Sequence, residues 1–188
     1  MSAVFTPQRK KIDVELYHRM GATGILTADD RVELVDGDLL QMAPVGSQHS
    51  FAVSILAARL IELCGRSHLV VPQGPVRLSR YDEPQPDLLV LRGPVSRYRE
   101  KIPEPQDVLL LVEISETTLR YDRSVKLPLY ARHDIAEVWI LDLVTRRLEC
   151  HRDPAGNRYG EARILEPDVA ADIAAIPGVS LMWGEVFG

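Results

Sequence analysis

The sequence has no apolar run that approaches the ~20 residues a helix needs to cross a bilayer, so we expect no membrane anchor. Its first residues, MSAVFTPQRKK, lack the apolar stretch of a secretory signal. Only two cysteines are present, Cys64 and Cys150, far apart and in no metal-binding spacing. These absences predict a cytoplasmic protein with two buried, reduced thiols.

Several common catalytic signatures are also missing. There is no Walker-type or dinucleotide-type glycine loop, and the histidines show no zinc-type spacing. Ser115 has no histidine base at a motif spacing, which argues against a serine hydrolase. The net charge of −5 argues mildly against broad nonspecific nucleic-acid binding, because phosphate neutralisation needs a basic face. The basic-rich segments 92–101 and 146–158 still allow a local basic groove.

The composition is that of one folded domain. The 188 residues are 46% apolar and 26% charged, which is typical of a globular protein that buries a core. No internal repeat, low-complexity tract or interdomain linker interrupts the chain, so we expect a single domain over residues 1–188. Helical and strand patterns occur in both halves of the chain, which predicts an α/β fold with a mixed sheet.

Local signals predict several elements in the first half of the chain. Asp13 is placed to cap a short helix, VELYHRMG. The dipeptide Asp36-Gly37 favours a tight hairpin turn between two short strands in RVELVDGDLLQM. Residues 68–72 and 75–79 are predicted to be strands separated by a Gln-Gly-Pro turn.

A long helix is predicted between the hairpin and these strands. Ser47 can cap its start, it should end near Cys64, and Gly65 is a typical terminator. Residues at helical spacing form its expected apolar stripe: Phe51, Ile55, Ala58 and Ile61.

The second half contains a helical segment whose start is ambiguous. Lys126 lies in it, but Pro128 conflicts with a helix interior, where it removes a backbone hydrogen bond at a cost of about 3 kcal/mol. The helix therefore begins near Val125 or kinks there. EVWILDL and RRLECHR then predict a strand pair, followed by a loop, DPAGN, that leads into RYGEARIL.

Two continuous apolar runs organise the centre of the chain. Leu88–Leu91 and Val108–Val112 have the pattern of strands buried on both faces. Asp87 stands at the start of the first and Glu113 near the end of the second, and Lys126 follows. A carboxylate at such a place is costly to desolvate unless it is paired or holds a cation. Two acids and a lysine therefore suggest a divalent-metal site in which the lysine ammonium interacts with a phosphate or a water.

Each of these residues also has a structural interpretation. Asp87 can simply begin a strand after a proline, and Glu113 can form a salt bridge with Arg123 or Lys126. A lysine on a helix is usually solvated, and Glu33 can be an exposed acid of the hairpin. We keep both interpretations at this point.

Four blocks of the sequence resemble the Uma-two family, which is described as restriction endonucleases and was formerly a domain of unknown function. The blocks are ADDRVELVDGDLLQMAPVGSQHS, EPQPDLLVL, LLVEIS and RYDRSVKLPLYARHDIAEVWILDL. The family belongs to the PD-(D/E)XK nuclease superfamily. The resemblance implies a restriction-endonuclease-like core, a mixed sheet flanked by helices, with its acids clustered at one end. It also implies DNA as the partner and Mg²⁺ or Mn²⁺ as the cofactor.

The resemblance also implies roles for individual residues. Asp87, Glu113 and Glu33 match the acids of the family and are the expected metal ligands. In the superfamily pattern a lysine would stand at position 115, where this chain has Ser115. Family members supply the lysine from the following helix, which makes Lys126 the catalytic candidate.

Three further residues match positions in the family. They are His49, which either touches the site or, by default, caps a helix or lies at the surface, and Tyr121 and Asp122, which are expected to support the turn rather than react.

The sequence therefore leads to two hypotheses of different classes. The first is a metal-dependent endonuclease that hydrolyses DNA phosphodiester bonds, or another phosphodiester. The second is a non-catalytic module that keeps the nuclease fold to bind nucleic acid or protein. A homodimer is expected, because two active sites can address two strands, with edge strands around Val138–Cys150 as the interface.

Overall fold

The computed structural model describes residues 9–187. The first eight residues, on which the expectation of no secretory signal partly rests, lie outside this range. The strands are β1 (Val32–Val35), β2 (Asp38–Gln41), β3 (His68–Pro72), β4 (Leu88–Arg92), β5 (Val108–Ser115), β6 (Glu137–Asp142), β7 (Arg147–Ala155), β8 (Arg158–Leu165), β9 (Ala171–Asp172) and β10 (Ser180–Leu181).

The α-helices are α1 (Val14–Ala22), α2 (Ser47–Cys64), α3 (Leu119–Tyr121) and α4 (Leu127–Arg132), and a π-helix over Asp122–Lys126 joins α3 to α4. Short 3₁₀ helices occupy Ala28–Asp30, Gly65–Ser67, Val95–Arg99, Pro105–Asp107 and Trp183–Phe187. Among the residues described, no helix combines the length and apolar character needed to cross a membrane.

Six strands form one mixed sheet in the order β3-β4-β5-β6-β7-β8. Only β5 and β6 are parallel, because the helical segment from α3 to α4 carries the chain back between them. This confirms the expected mixed sheet flanked by helices. The expectation that Val138–Cys150 forms sheet edges is wrong, because β6 and β7 are interior strands. The edges of this sheet are β3 and β8.

The core lies on both faces of the sheet, which explains the continuous apolar runs of β4 and β5. Leu88 and Val90 pack in the cluster beneath α2, and Leu89 and Leu91 pack in the cluster beneath α4. All eight residues of β5 are buried. Alternation along β5 therefore places Glu113 on the α4 face, between two residues that face α2.

The hairpin β1-β2 has the predicted turn, and a neighbouring segment anchors it. Asp36 and Gly37 have φ of 50° and 78°, the positive values that this tight turn requires. The Asp36 N–H donates to Asp82 Oδ1 at 2.7 Å. Leu34 exchanges backbone hydrogen bonds with Glu83. These contacts fix the orientation of β1 and therefore of Glu33.

Helix α2 has the predicted extent but buries a different face. Gly46, not Ser47, is its N-cap, and Gly65 ends it with φ of 61°. Phe51 and Ile61, expected to be buried, are 51% and 54% exposed. The buried residues are Ala52, Val53, Leu56, Ala57, Leu60 and Cys64. The predicted stripe was wrong because the helix is apolar over most of its circumference.

Two other boundaries differ from the predictions. Residues 75–79 form no named strand, although Val76 and Leu78 are buried beside the sheet. Most of the expected DPAGN loop belongs to β7, which continues to Ala155, and the turn is at Gly156. The capped helix α1 is as predicted, with Asp13 accepting a hydrogen bond from the Leu16 N–H at 2.9 Å.

The conflict at Pro128 is resolved by the π-helix. Pro128 lies in the first turn of α4, where the missing N–H is not needed. The helical segment therefore starts before Val125 and changes its hydrogen-bonding pattern over Asp122–Lys126. Single π-helical turns are frequent at functional sites. Lys126 is the last residue of this turn.

A glycine in the hairpin turn provides a test of this fold. A Cβ at Gly37 would lie 2.7 Å from Lys11 Cβ, and its φ is positive. We expect Gly37→Ala to lower the free energy of unfolding by about 1–2 kcal/mol, since the strained backbone and the contact both oppose the side chain. In the matched control Gly21→Ala, the new Cβ meets nothing within 4 Å inside α1.

The control should therefore be neutral or stabilising by up to about 1 kcal/mol. Urea titrations followed by circular dichroism measure both variants. Equal stability of the two variants would contradict the described hairpin geometry.

Candidate active site

Two carboxylates meet where β4 begins and β5 ends. Leu88 pairs with Val112 in the antiparallel register, so Asp87 and Glu113 are neighbours across the two strands. Asp87 Oδ2 accepts a hydrogen bond from the Ile114 N–H at 2.8 Å, which fixes its orientation. Glu113 is fully buried, and this burial raises its pKa well above the usual value, although the charge of Lys126 opposes the shift.

Lys126 joins these acids from the π-helix. Its Nζ lies 3.1 Å from Glu113 Oε1 and 3.3 Å from Glu33 Oε2, and its side chain is 7% exposed. Burial alone would lower the pKa of Lys126, but the carboxylates of Glu113 and Glu33 outweigh it and raise the pKa above the usual range. The ammonium form is therefore strongly favoured between the two acids.

Glu33 reaches the cluster from β1. Its Oε2 accepts a hydrogen bond from the Gln85 N–H at 3.1 Å, and its Oε1 accepts one from the Tyr121 hydroxyl at 3.3 Å. Together with Lys126, these contacts place donors on both of its oxygens. They favour a role in holding the lysine, and metal ligation by Glu33 remains a prediction.

The four predicted site residues thus line one cavity of about 490 Å³, together with His49, Tyr121 and Asp122. Each comes from a different element: Glu33 from β1, Asp87 from the residue before β4, Glu113 from β5 and Lys126 from the π-helix. The register of β4 and β5 and the fixed hairpin bring them together.

His49 is a neighbour of Asp87 and not a surface residue. Its Nε2 lies 3.1 Å from Asp87 Oδ1, and the hydrogen bond to this carboxylate raises the pKa of His49. Its Nδ1 is buried and has no hydrogen-bond partner in the described structure. Of the alternatives for His49, the contact with Asp87 agrees with a place at the site, whereas a capping role is wrong because Gly46 is the N-cap of α2.

Tyr130 was missed by the sequence analysis. It is fully buried on α4, and its hydroxyl donates a short hydrogen bond to Glu113 Oε1. Lys126 also contacts Oε1, so both contacts leave Glu113 Oε2 for a further ligand. The available signal was the spacing of Lys126 and Tyr130, which places residues four apart on one helical face.

Ser115 supports Asp122 at the position where the superfamily pattern has lysine. Asp122 Oδ2 accepts hydrogen bonds from the hydroxyls of Ser115 at 2.7 Å and Thr118 at 2.6 Å. Burial raises the pKa of Asp122. Asp122 thereby ties the start of the helical segment to the end of β5, as expected of a supporting residue, while it also lines the cavity.

The donor set fits a magnesium ion that keeps part of its water shell. Within residues 9–187, no group of three His, Cys, Asp or Glu side chains is arranged to hold a metal ion. Two of the acids, Glu33 and Glu113, are in contact with Lys126. Mg²⁺, however, is usually bound by one or two carboxylates with waters and substrate phosphates. Asp87 and Glu113 supply such a pair of hard oxygen ligands.

A mixed sheet flanked by helices, with carboxylates and a lysine gathered at the ends of adjacent strands, is typical of the restriction-endonuclease-like class. The comparisons agree with this class. The Uma2 family model, described as "Putative restriction endonuclease", matches residues 14–184, and the chain belongs to this family.

A solved structure shows the same fold. It is described as the "Crystal structure of a putative nuclease belonging to DUF820 from Anabaena variabilis ATCC 29413". The TM-score is 0.71 at 14% sequence identity, over 94% of this chain and 97% of that chain. No curated protein matches the sequence.

Proposed function

We propose that this chain is a metal-dependent endonuclease of the PD-(D/E)XK type that hydrolyses phosphodiester bonds in DNA. The observation that carries the proposal is the convergence of Asp87 and Glu113 at adjacent strand ends, with Lys126 Nζ 3.1 Å from Glu113. Family membership supports it, since restriction-endonuclease-like families generally use divalent metals. Residues 1–188 would form one nuclease domain.

In this proposal Asp87 and Glu113 hold Mg²⁺ or Mn²⁺, and Glu33 is the further acid of the site. The bound ion would supply a water of lowered pKa and positive charge for the phosphoryl oxygens. Lys126 adds a second positive charge, because its carboxylate partners favour the ammonium form. We therefore assign Lys126 to binding the phosphoryl oxygens, where charge accumulates in the transition state.

Two neighbours orient the proposed ligands. His49 contacts Asp87 Oδ1, and the Tyr130 hydroxyl donates to Glu113 Oε1. Each contact takes up one oxygen of a carboxylate and restricts its rotation. Partners of this kind commonly tune metal affinity by about 10–100-fold.

Two remaining expectations accompany this proposal. We propose a homodimer whose interface includes β8, an edge strand of the six-stranded sheet, in place of the interior strands β6 and β7. A mass of one chain in light scattering would contradict it.

We also propose a cytoplasmic location, which agrees with Cys64 and Cys150 being buried and forming no disulfide.

Calorimetric titration with Mn²⁺ tests the metal site without a choice of DNA substrate. We expect saturable binding to the wild type and a loss of at least about tenfold in affinity for Asp87→Asn, since one of two ligands is removed. Asp168→Asn, which removes the same charge from an exposed turn, is the matched control and should bind like the wild type.

Equal Mn²⁺ affinity in Asp87→Asn and the wild type would contradict the assignment of Asp87. Absence of saturable binding to the wild type would favour the alternative, a non-catalytic module that keeps the nuclease fold to bind nucleic acid or protein.

A further inference from the structure

The proposed reacting groups lie at the floor of the cavity. The side chains of Glu113, Glu33 and Lys126 are 4%, 5% and 7% exposed, and Asp87 is the most open at 15%. The cavity of about 490 Å³ lies within the range of about 300–1,000 Å³ in which pockets enclose small molecules. The phosphates of a duplex lie on the outside of a paired rod. A phosphate must therefore enter the cavity to reach these groups, and an unpaired strand can bring it there with less obstruction than a duplex.

Arg31 is a cation that has no acidic partner among the described residues, although the cavity is acidic. It lines the cavity, and its guanidinium forms no ion pair or side-chain hydrogen bond with any residue from 9 to 187. Two arginines elsewhere, Arg123 and Arg132, are by contrast paired with Glu149 and Asp36. A guanidinium presents donors in a planar fork that matches a phosphate group.

The backbone of Arg31 is held in an unusual conformation. Its φ of 43° and ψ of 64° lie in the left-handed region, which is unfavourable for residues other than glycine. The Met42 N–H donates to the Arg31 carbonyl at 2.8 Å and keeps this conformation in place. Strained residues of this kind concentrate at functional sites.

One wall of the cavity is apolar. It is lined by Leu40 of β2 and by Met42, Pro44 and Val45 of the chain that leads from β2 to α2. Val45 is 40% exposed although it is apolar. The faces of unpaired bases and sugars pack on such surfaces, whereas the base faces of a duplex are stacked on one another and cannot reach them.

From depth, charge and apolar surface together, we propose that the cavity admits a single unpaired DNA strand. Arg31 binds a phosphate of that strand beside the one that is hydrolysed, and the apolar wall packs against its bases and sugars. This inference rests on the proposed nuclease function, and it assigns the form of DNA on which the site acts.

Fluorescence anisotropy with Ca²⁺ in place of Mg²⁺ tests the inference without hydrolysis. The probes are a labelled 12-nucleotide DNA strand and the blunt duplex of the same sequence. We expect the single strand to bind at least about tenfold more tightly than the duplex, because only it reaches the apolar wall. Arg31→Gln should weaken single-strand binding by about tenfold, and Arg31→Lys by less, since lysine keeps the charge but not the fork.

Matched controls are available at the surface. Arg92→Gln removes another exposed arginine at the end of β4 away from Asp87, and it should change binding by less than about twofold. Val45→Glu should weaken single-strand binding, whereas Val144→Glu, at a 72% exposed residue between β6 and β7, should not.

The outcomes separate this inference from the proposed function. Duplex binding as tight as single-strand binding, or equal effects of Arg31→Gln and Arg92→Gln, would overturn the inference. If Mg²⁺-dependent duplex cleavage persisted in that case, the nuclease function would stand. Absence of both binding and cleavage for either DNA form would overturn both.

Discussion

Replacing Lys126 with methionine is expected to cost about 3–5 kcal/mol of folding free energy, because it leaves two buried carboxylates without their cation. Nζ of Lys126 contacts both Glu33 and Glu113, and all three side chains are at most 7% exposed. Methionine keeps most of the volume of the lysine side chain, so the loss is electrostatic and not a packing defect. Nuclease activity should be lost as well, since the proposed cation for the phosphoryl oxygens is gone.

Chemical denaturation of Lys126→Met measures the change in stability. The double variant Glu33→Gln/Lys126→Met should recover part of the loss, because one of the two unpaired charges is removed with the lysine. Lys10→Met is the control, since Lys10 is exposed and has no ion pair within the described residues, and it should change stability by about 0.5 kcal/mol at most. A loss in Lys126→Met no larger than in this control would contradict the buried ion pairs.

The loss in Lys126→Met should grow with pH. Burial raises the pKa of Glu113, and removing Lys126 takes away the main charge that opposes this shift. When the pKa of a glutamate is higher in the folded state than in the unfolded state, its protonation stabilises the fold. The whole of this stabilisation is present only at a pH below the pKa of the unfolded chain, which is about 4.3. That stability is lost as the pH rises through the folded-state pKa. The difference from the wild type should therefore be smaller near pH 5 than near pH 8.

The strands that carry the acids were predictable from sequence, because a strand that is buried on both faces has a continuous apolar sequence. The runs at Leu88–Leu91 and Val108–Val112 are continuous and apolar, and both form central strands of the sheet. Asp87 directly precedes the first run and Glu113 directly follows the second, so the two acids become neighbours when the two strands pair. The sequence could therefore indicate that these two acids lie close together.

The buried face of α2 could not be predicted in the same way. Phe51 and Ile61 are exposed, whereas Ala52, Leu56 and Leu60 are buried against the sheet. Apolar residues surround most of this helix, so periodicity alone does not select one stripe. Packing against the sheet and the C-terminal segment determines which face of α2 is buried, and these tertiary contacts cannot be derived from the helix sequence alone.

Contacts between distant elements were also beyond the sequence. Tyr130 follows Lys126 by four residues, and this spacing does not show that its hydroxyl donates to Glu113. His49 matches a family position near a helix start, which left contact with the site as one alternative, but its contact with Asp87 depends on how α2 packs on β4. The contacts of Tyr130 and His49 are therefore visible only in three dimensions, whereas the supporting role of Asp122 was predicted from sequence.

Replacing Glu113 with glutamine should separate catalysis from stability. Glutamine keeps the shape of the carboxyl group without its charge, and burial, which raises the pKa of Glu113, makes that charge costly in the folded state. Lys126 keeps its contact with Glu33, so no charge is left unpaired. We expect a change of about 1 kcal/mol or less in unfolding free energy. Cleavage should fall by about 100–1,000-fold or more, because a proposed metal ligand loses its charge.

Cleavage of a labelled DNA strand and of plasmid DNA in Mg²⁺, together with denaturant titrations, measures both effects of Glu113→Gln. Glu62→Gln, at an exposed glutamate of α2, is the matched control and should cleave like the wild type. A wild type that binds DNA but cleaves neither substrate would favour the binding module. A variant that cleaves at the wild-type rate would remove Glu113 from the site. The proposed site therefore predicts opposite profiles for its two central residues: Glu113→Gln folds but does not cleave, and Lys126→Met loses stability together with activity.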